Sequence, residues 1–308
     1  MKKRKLRGEI ILSITALIWG TAFVAQIVGM EHIGPFTFTA SRTLIGALSL
    51  IPVILLMDRK RARDGNEDFK GSSKDLIKGG LACGLAMFFG VSFQQVGLQY
   101  TTAGKAGFIT ALYIVLVPIF GLFMHKRIEK SVWLGVGLGL VGLYLLSVTE
   151  GLSIGKGDLL VLFGTFFWAL HILTVDHFAD KVDALKMSCI QFLVCGIIAL
   201  SIALIYEDIS IEALVQSAFP ILYAGIIVVG IAYTLQIFGQ RGTNPTTAAI
   251  IMSMESVFAA ISGILILGET MSLREITGCI LMFAAVIVAQ LQPAIKKDEG
   301  YELADKTN

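Results

Sequence analysis

Residues 245–267 read PTTAAIIMSMESVFAAISGILIL, with Glu255 the single ionisable side chain in the run. A bilayer hydrocarbon core is ~30 Å thick and takes ~20 residues of helix to cross. The run fits that length, and it sets the pattern for the rest of the chain. Of 308 residues 55% are apolar and 16% charged, with 32 glycines and a mean hydropathy of +0.78. Soluble domains hold ~45–50% apolar and ~25% charged residues. The apolar excess here is gathered into similar runs separated by short polar pieces, which excludes a soluble cytosolic enzyme. The near balance of 25 basic and 23 acidic residues gives no sign of a nucleic-acid partner.

Working outward, ten spans are expected: Gly8–Met30, Pro35–Met57, Leu76–Gly97, Thr102–Met124, Ser131–Val148, Gly157–Phe178, Leu185–Tyr206, Ala218–Gln240, Pro245–Leu267 and Leu273–Gln292. This predicts an all-α integral membrane protein with short connections and no room for a soluble catalytic domain. The first run follows basic residues, as a signal peptide would. Its apolar stretch is longer than such segments carry, and it has a counterpart later in the chain, so it is read as a true span. Twenty of the 25 Lys and Arg residues fall on one side of this arrangement and two, Lys156 and Arg274, on the other. Cytoplasmic loops carry the Lys/Arg excess. Residues 1–7 and 293–308 are therefore expected as cytoplasmic tails of a multi-pass cell-membrane protein. Cys83, Cys189, Cys195 and Cys279 all lie within spans and make no C-x-x-C pair, which suits apolar packing.

The halves overlay. A shift of 149 places Trp19 on Trp168, Thr39 on Ser188, Arg42 on Gln191 and Gly46 on Cys195. A shift of 143 places residues 101–104 on 244–247 and Gly135 on Gly278. The long basic loop Asp58–Asp75 accounts for the difference between the shifts. Each half, 8–148 and 157–292, then holds five spans, and an odd number obliges the second to enter the bilayer inverted. Inverted repeats are the architecture of secondary transporters, with the site near the midplane between them. The stretches IWGTAF at 18–23, ASRTLIGAL at 40–48, TTAGKAGFITALYIVLVP at 101–118 and NPTTAAIIMSMESVFAAISGILILGET at 244–270 resemble the EamA-type members of the drug/metabolite transporter superfamily. The resemblance covers nearly the whole chain. It implies ten helices in two EamA repeats and movement of small metabolites or drugs, with export the favoured direction.

Polar side chains within the spans are the candidate site. Glu255 lies ~15 Å past Pro245, near the midplane. An ionisable group there costs ~2.5–3.5 kcal/mol on insertion scales, so it must meet a partner or a wet cavity. Arg42 lies ~10 Å past Pro35, close enough in depth for an ion pair with Glu255 if their helices adjoin; a purely structural pair and an outward-reaching Arg42 are the other readings. Trp19 and Trp168 lie ~16 Å into their helices, away from the interfaces tryptophan favours, and Tyr113 reaches similar depth. These five are the favoured lining residues, packing roles being the alternative. His171 and Gln191 share a depth of ~9 Å and are placed to hydrogen-bond, as site residues or as interhelical glue. Lys105, near the start of the fourth span, either snorkels or attracts an anionic group. Gly80-x-x-x-Gly84 and Gly135-x-x-x-Gly139 suit close helix packing.

Enzyme chemistry finds little support. No G-x-x-x-x-G-K-[ST] or H-E-x-x-H pattern occurs. An intramembrane serine protease would need Ser262 beside His171, yet their depths differ by ~16 Å. The expectation is a secondary transporter without cofactor, surrounded by lipid and carrying a small molecule, with a homodimer compatible. A receptor or assembly protein that binds without transporting is the alternative.

Overall fold

A computed structural model describes residues 2–63, 72–101, 103–123, 130–147, 155–241, 243–267 and 272–290. The described chain is almost wholly helical. The elements are α1 (Lys2–Gly29), α2 (Pro35–Arg63), α3 (Ser73–Gly97), α4 (Ala103–Ala111), α5 (Tyr113–Phe123), α6 (Lys130–Ser147), α7 (Lys156–Ala179), α8 (Ala184–Tyr206), α9 (Ile211–Gln216) and α10 (Ala218–Leu222). A π-helical segment, Tyr223–Tyr233, leads into α11 (Thr234–Gln240), and α12 (Pro245–Met252), α13 (Glu255–Leu267) and α14 (Leu273–Gln290) follow. Among the described residues eight segments are long and apolar enough to cross a membrane, and Val132–Gly142 and Ile276–Val288 are shorter apolar stretches.

Local chemistry sets the helix starts. Asn244 accepts the Thr246 N–H at 2.9 Å and Pro245 follows it at a position where a missing N–H costs nothing. Asp183 caps α8 through the N–H groups of Leu185 and Lys186, at 2.9 and 3.2 Å. The Ser210 hydroxyl caps the short α9 through the Ala213 N–H at 3.1 Å.

Three runs expected as single helices are interrupted, two of them with a cause in the local hydrogen bonding. The run 245–267 breaks at Ser253–Met254, where the Met254 and Ser256 N–H groups reach back only three residues, to Ile251 and Ser253. The Ser253 and Ser256 hydroxyls also bond carbonyls three residues behind, at 2.8 and 2.6 Å, a competition that bends helices. The run 103–123 breaks at Leu112, whose N–H bonds Ile109 O at 3.2 Å. That same carbonyl accepts the Thr165 hydroxyl of α7 at 3.0 Å, a side chain inserted into the hydrogen-bond ladder. The run 218–240 widens into the π segment, a form that in other proteins marks functional sites.

Packing pairs elements from the two halves of the chain. α3 lies along α7 and α8, α2 along α8, α1 against α13, and α6 against α14. Gly84 faces Val194 of α8: a Cβ there would fall 2.7 Å from the valine Cβ. Large apolar side chains such as Leu56, Phe123, Leu204, Leu265 and Ile280 stand exposed, while Thr39, Arg42, Gln95, His171, Gln191 and Glu255 are buried. That inversion of the soluble-protein pattern suits a hydrocarbon surround.

α2 and α8 are fastened together at both ends. Beside Pro35, the Glu207 carboxylate accepts the N–H groups of Phe36 and Thr37, at 2.9 and 2.7 Å, and the Thr37 hydroxyl at 2.7 Å. These are N–H groups that a helix start leaves without helical partners. At the other end Arg61 pairs with Asp183 at 2.6 Å and Lys186 with Asp58 at 3.0 Å. Burial raises the Asp183 carboxyl, but the Arg61 hydrogen bond and charge and the Lys186 and Leu185 N–H groups outweigh it and hold the pKa below its ordinary value.

Candidate functional site

The helix breaks, the π segment and the buried polar residues meet at one cavity. It has a volume of about 40 Å³ and is lined by residues of α1, α2, α3, α4, α5, α7, α11, α13 and the π segment. Such a space admits a few waters. Pockets for small molecules run to ~300–1,000 Å³; the cavity is contracted.

Trp19, Arg42, Tyr113, Trp168 and Glu255, expected from the sequence as site residues, all line this cavity, and so does His171. The two tryptophans related by the 149-residue shift flank Tyr233, with ring centroids 4.8 Å away for Trp19 and 5.9 Å for Trp168. Their indole N–H groups are in different states. Trp168 Nε1 donates to Gln94 Oε1 at 2.8 Å, whereas Trp19 Nε1 is buried without a partner. Helices approach closely next to Trp19 and against the Trp168 ring. A Cβ on Gly20 would come within 2.8 Å of Glu255 O, and one on Gly90 within 3.0 Å of the Trp168 ring.

Tyr113 is the first residue of α5 and Glu255 the first of α13. The tyrosine hydroxyl donates to Glu255 Oε1 at 3.0 Å. At a helix start the carboxyl also meets the positive end of the α13 dipole. Similar depth allowed Glu255 an ion pair with Arg42, and the structure does not form it. Arg42 instead donates through Nη2 to Gln95 Oε1 at 3.3 Å and lies over the Phe38 ring at 5.2 Å. Its Nε has no partner, and no described carboxylate forms an ion pair with it. The reason is positional: Glu255 faces α5, and Arg42 projects toward α3.

His171 Nε2 and Gln191 Oε1 are 2.9 Å apart, the hydrogen bond their shared depth allowed. Gln191 stands behind the histidine rather than on the cavity wall. Lys105 lies on α4, with its side chain outside the described residues. Ser262 donates to Phe258 O at 2.7 Å and His171 is engaged with Gln191, so no serine–histidine pair forms between them.

Several cavity groups escaped the sequence reading. Gln94 accepts from Trp168 and, at 3.5 Å, from Thr110, and donates to Gln26 Oε1 at 3.3 Å. Gln236 is 1% exposed, with neither amide atom bonded. The signal was present: a glutamine within an apolar span is costly unless satisfied, and Gln94, Gln95 and Gln236 are such residues.

Comparison with known proteins decides the family. The EamA-like transporter family matches residues 6–148 and again 155–290. The chain belongs to the EamA-like transporter family. A relative from Archaeoglobus fulgidus, described as an uncharacterized transporter, is 30% identical over 94% of this chain and 87% of its own length. The uncharacterized transporter YoaV of Bacillus subtilis is 24% identical over 90% of this chain and 94% of its own. A solved structure at 19% identity superposes with a TM-score of 0.75, covering 92% of this chain and 98% of that one, which establishes a shared fold. Family and apolar helices together make this EamA-like chain a multi-pass membrane transporter.

Proposed function

We propose that this EamA-like transporter is a ten-span secondary carrier that moves a small metabolite or drug-like molecule across the cell membrane by alternating access, in the export direction. Counting α4 with α5, α10 with the π segment and α11, and α12 with α13, and leaving α9 outside the membrane, gives ten spans in two five-span halves. The double family match supports two repeats, and the Lys/Arg asymmetry supports cytoplasmic termini.

The observation that carries this reading is the pair of broken helices. Discontinuous helices at corresponding positions of two halves point to the binding site of a transporter. Under the 143-residue shift Leu112 overlays Glu255, so the breaks fall within two residues of each other. The residues that follow them, Tyr113 and Glu255, bond across the cavity wall. A cavity of about 40 Å³ suits a narrowed state of such a site. Glu255, the only acid among the described residues that line it, is the group proposed to take up and release a coupling proton.

The test is flux. Proteoliposomes holding the full chain are loaded with a panel of radiolabelled small metabolites, in both orientations, with and without a pH gradient. Gradient-dependent movement of at least one compound is expected. Binding without flux in either orientation would move the chain to the receptor reading.

A further inference from the structure

The cavity contains a cation that no described carboxylate pairs with, and this points to the chemical class of what binds there. Arg42 is 4% exposed. An arginine stays charged at any working pH, and a buried charge needs paired, hydrogen-bonded surroundings. Here it has one neutral acceptor, Gln95 Oε1 at 3.3 Å, and a phenyl face. Its Nε hydrogen is unclaimed. Two more N–H donors on the same cavity are also unclaimed, the Trp19 indole and the Gln236 amide. Glu255, the acid that shares the cavity, is engaged by Tyr113 instead.

Open donors on a cavity that a buried guanidinium also lines call for an acceptor bearing negative charge. Charge-assisted hydrogen bonds to a planar carboxylate match the guanidinium fork. The remaining wall offers the Trp19, Trp168 and Tyr233 rings with Ile172 and Val228, surfaces that suit an apolar tail. Resting on the transporter reading for the site's purpose, we infer that the transported molecule is a small carboxylate with an apolar tail. Its carboxylate is held by Arg42 with the Trp19 N–H and the Gln236 amide.

The probes are carboxylates paired with their neutral amides: acetate and acetamide, isobutyrate and isobutyramide, benzoate and benzamide, indole-3-acetate and indole-3-acetamide. Binding is read on the purified full chain in nanodiscs by thermal shift for every pair. Tryptophan fluorescence is added for the non-indole pairs, because Trp19 and Trp168 line the cavity. Expected is at least one carboxylate that binds tenfold or more tighter than its amide. That preference should be lost in Arg42→Gln and weakened in Trp19→Phe. Equal binding of acid and amide, or no response to any carboxylate, overturns the inference. The wild-type comparison stands even if Arg42→Gln fails to fold. A carboxylate that binds through Arg42 yet shows no flux would sink the transporter reading and leave the anion site. Flux of neutral compounds alone would do the reverse.

Discussion

Tyr113 and Glu255 each stand directly after a break in a helix, and the hydroxyl of one donates to the carboxyl of the other at 3.0 Å. Two interruptions from opposite halves of the chain are thereby tied to each other at the cavity. Removing the donor with Tyr113→Phe leaves a buried carboxyl oxygen short of a partner. The expected loss of stability is about 1–3 kcal/mol, read as a lowered melting temperature in detergent.

Glu255→Gln separates two roles. The amide keeps the size and can still accept from Tyr113. If Glu255 carries the coupling proton, accumulation driven by a pH gradient falls to the level seen without a gradient, while substrate exchange persists. Normal gradient-driven flux in a normally stable Glu255→Gln protein would return the residue to a packing role.

The tryptophan pair gives a matched contrast. Trp168→Phe removes the donor that Gln94 uses and should cost about 1–3 kcal/mol, since Gln94 Oε1 then keeps only the long Thr110 contact. Trp19→Phe removes an N–H that has no partner and should cost about 1 kcal/mol or less. Thermal melts of the two variants side by side decide it; equal losses would contradict the assigned hydrogen bonding.

The Asp183 carboxyl is held below its ordinary 3.8. A depressed folded-state pKa adds stability that is fully present above the unfolded pKa and is lost as pH falls through the folded one. Wild type should therefore lose more stability on acidification below about pH 4 than Asp183→Asn does, and the two melting curves should converge at low pH. Parallel curves would deny Asp183 this role.

Topology is tested by cysteine labelling in sealed cells. Cysteines placed at His32, which is exposed in the structure, should react with an impermeant reagent from outside, and those at Gly65 should not. Reaction at Gly65 would reverse the proposed orientation.

The sequence disclosed depth better than direction. Mid-span placement of Trp19, Trp168, Tyr113 and Glu255 follows from counting residues, and all four line the cavity. Which neighbours they meet depends on helix rotation and packing, to which a count is blind. Glu255 therefore found Tyr113 and Arg42 found Gln95, in place of each other. The break at Ser253 was legible in its serines. The break at Leu112 was not, because its cause is the hydroxyl of Thr165, fifty-six residues from the carbonyl it occupies. The π segment left no period that an apolar run can display.

The two fastenings of α2 to α8 differ in kind. The Glu207 end rests on hydrogen bonds to backbone N–H groups and the Thr37 hydroxyl, while the Arg61 end rests on ion pairs whose side chains are 10–34% exposed. Raising ionic strength from 0.01 to 1 M shrinks the Debye length from ~30 to ~3 Å. Partly exposed ion pairs weaken under that screening, and short hydrogen bonds to helix N–H groups far less. Concentrated salt thus acts as a one-ended reagent on this helix pair, loosening it at Asp58 and Asp183 while Glu207 keeps its grip.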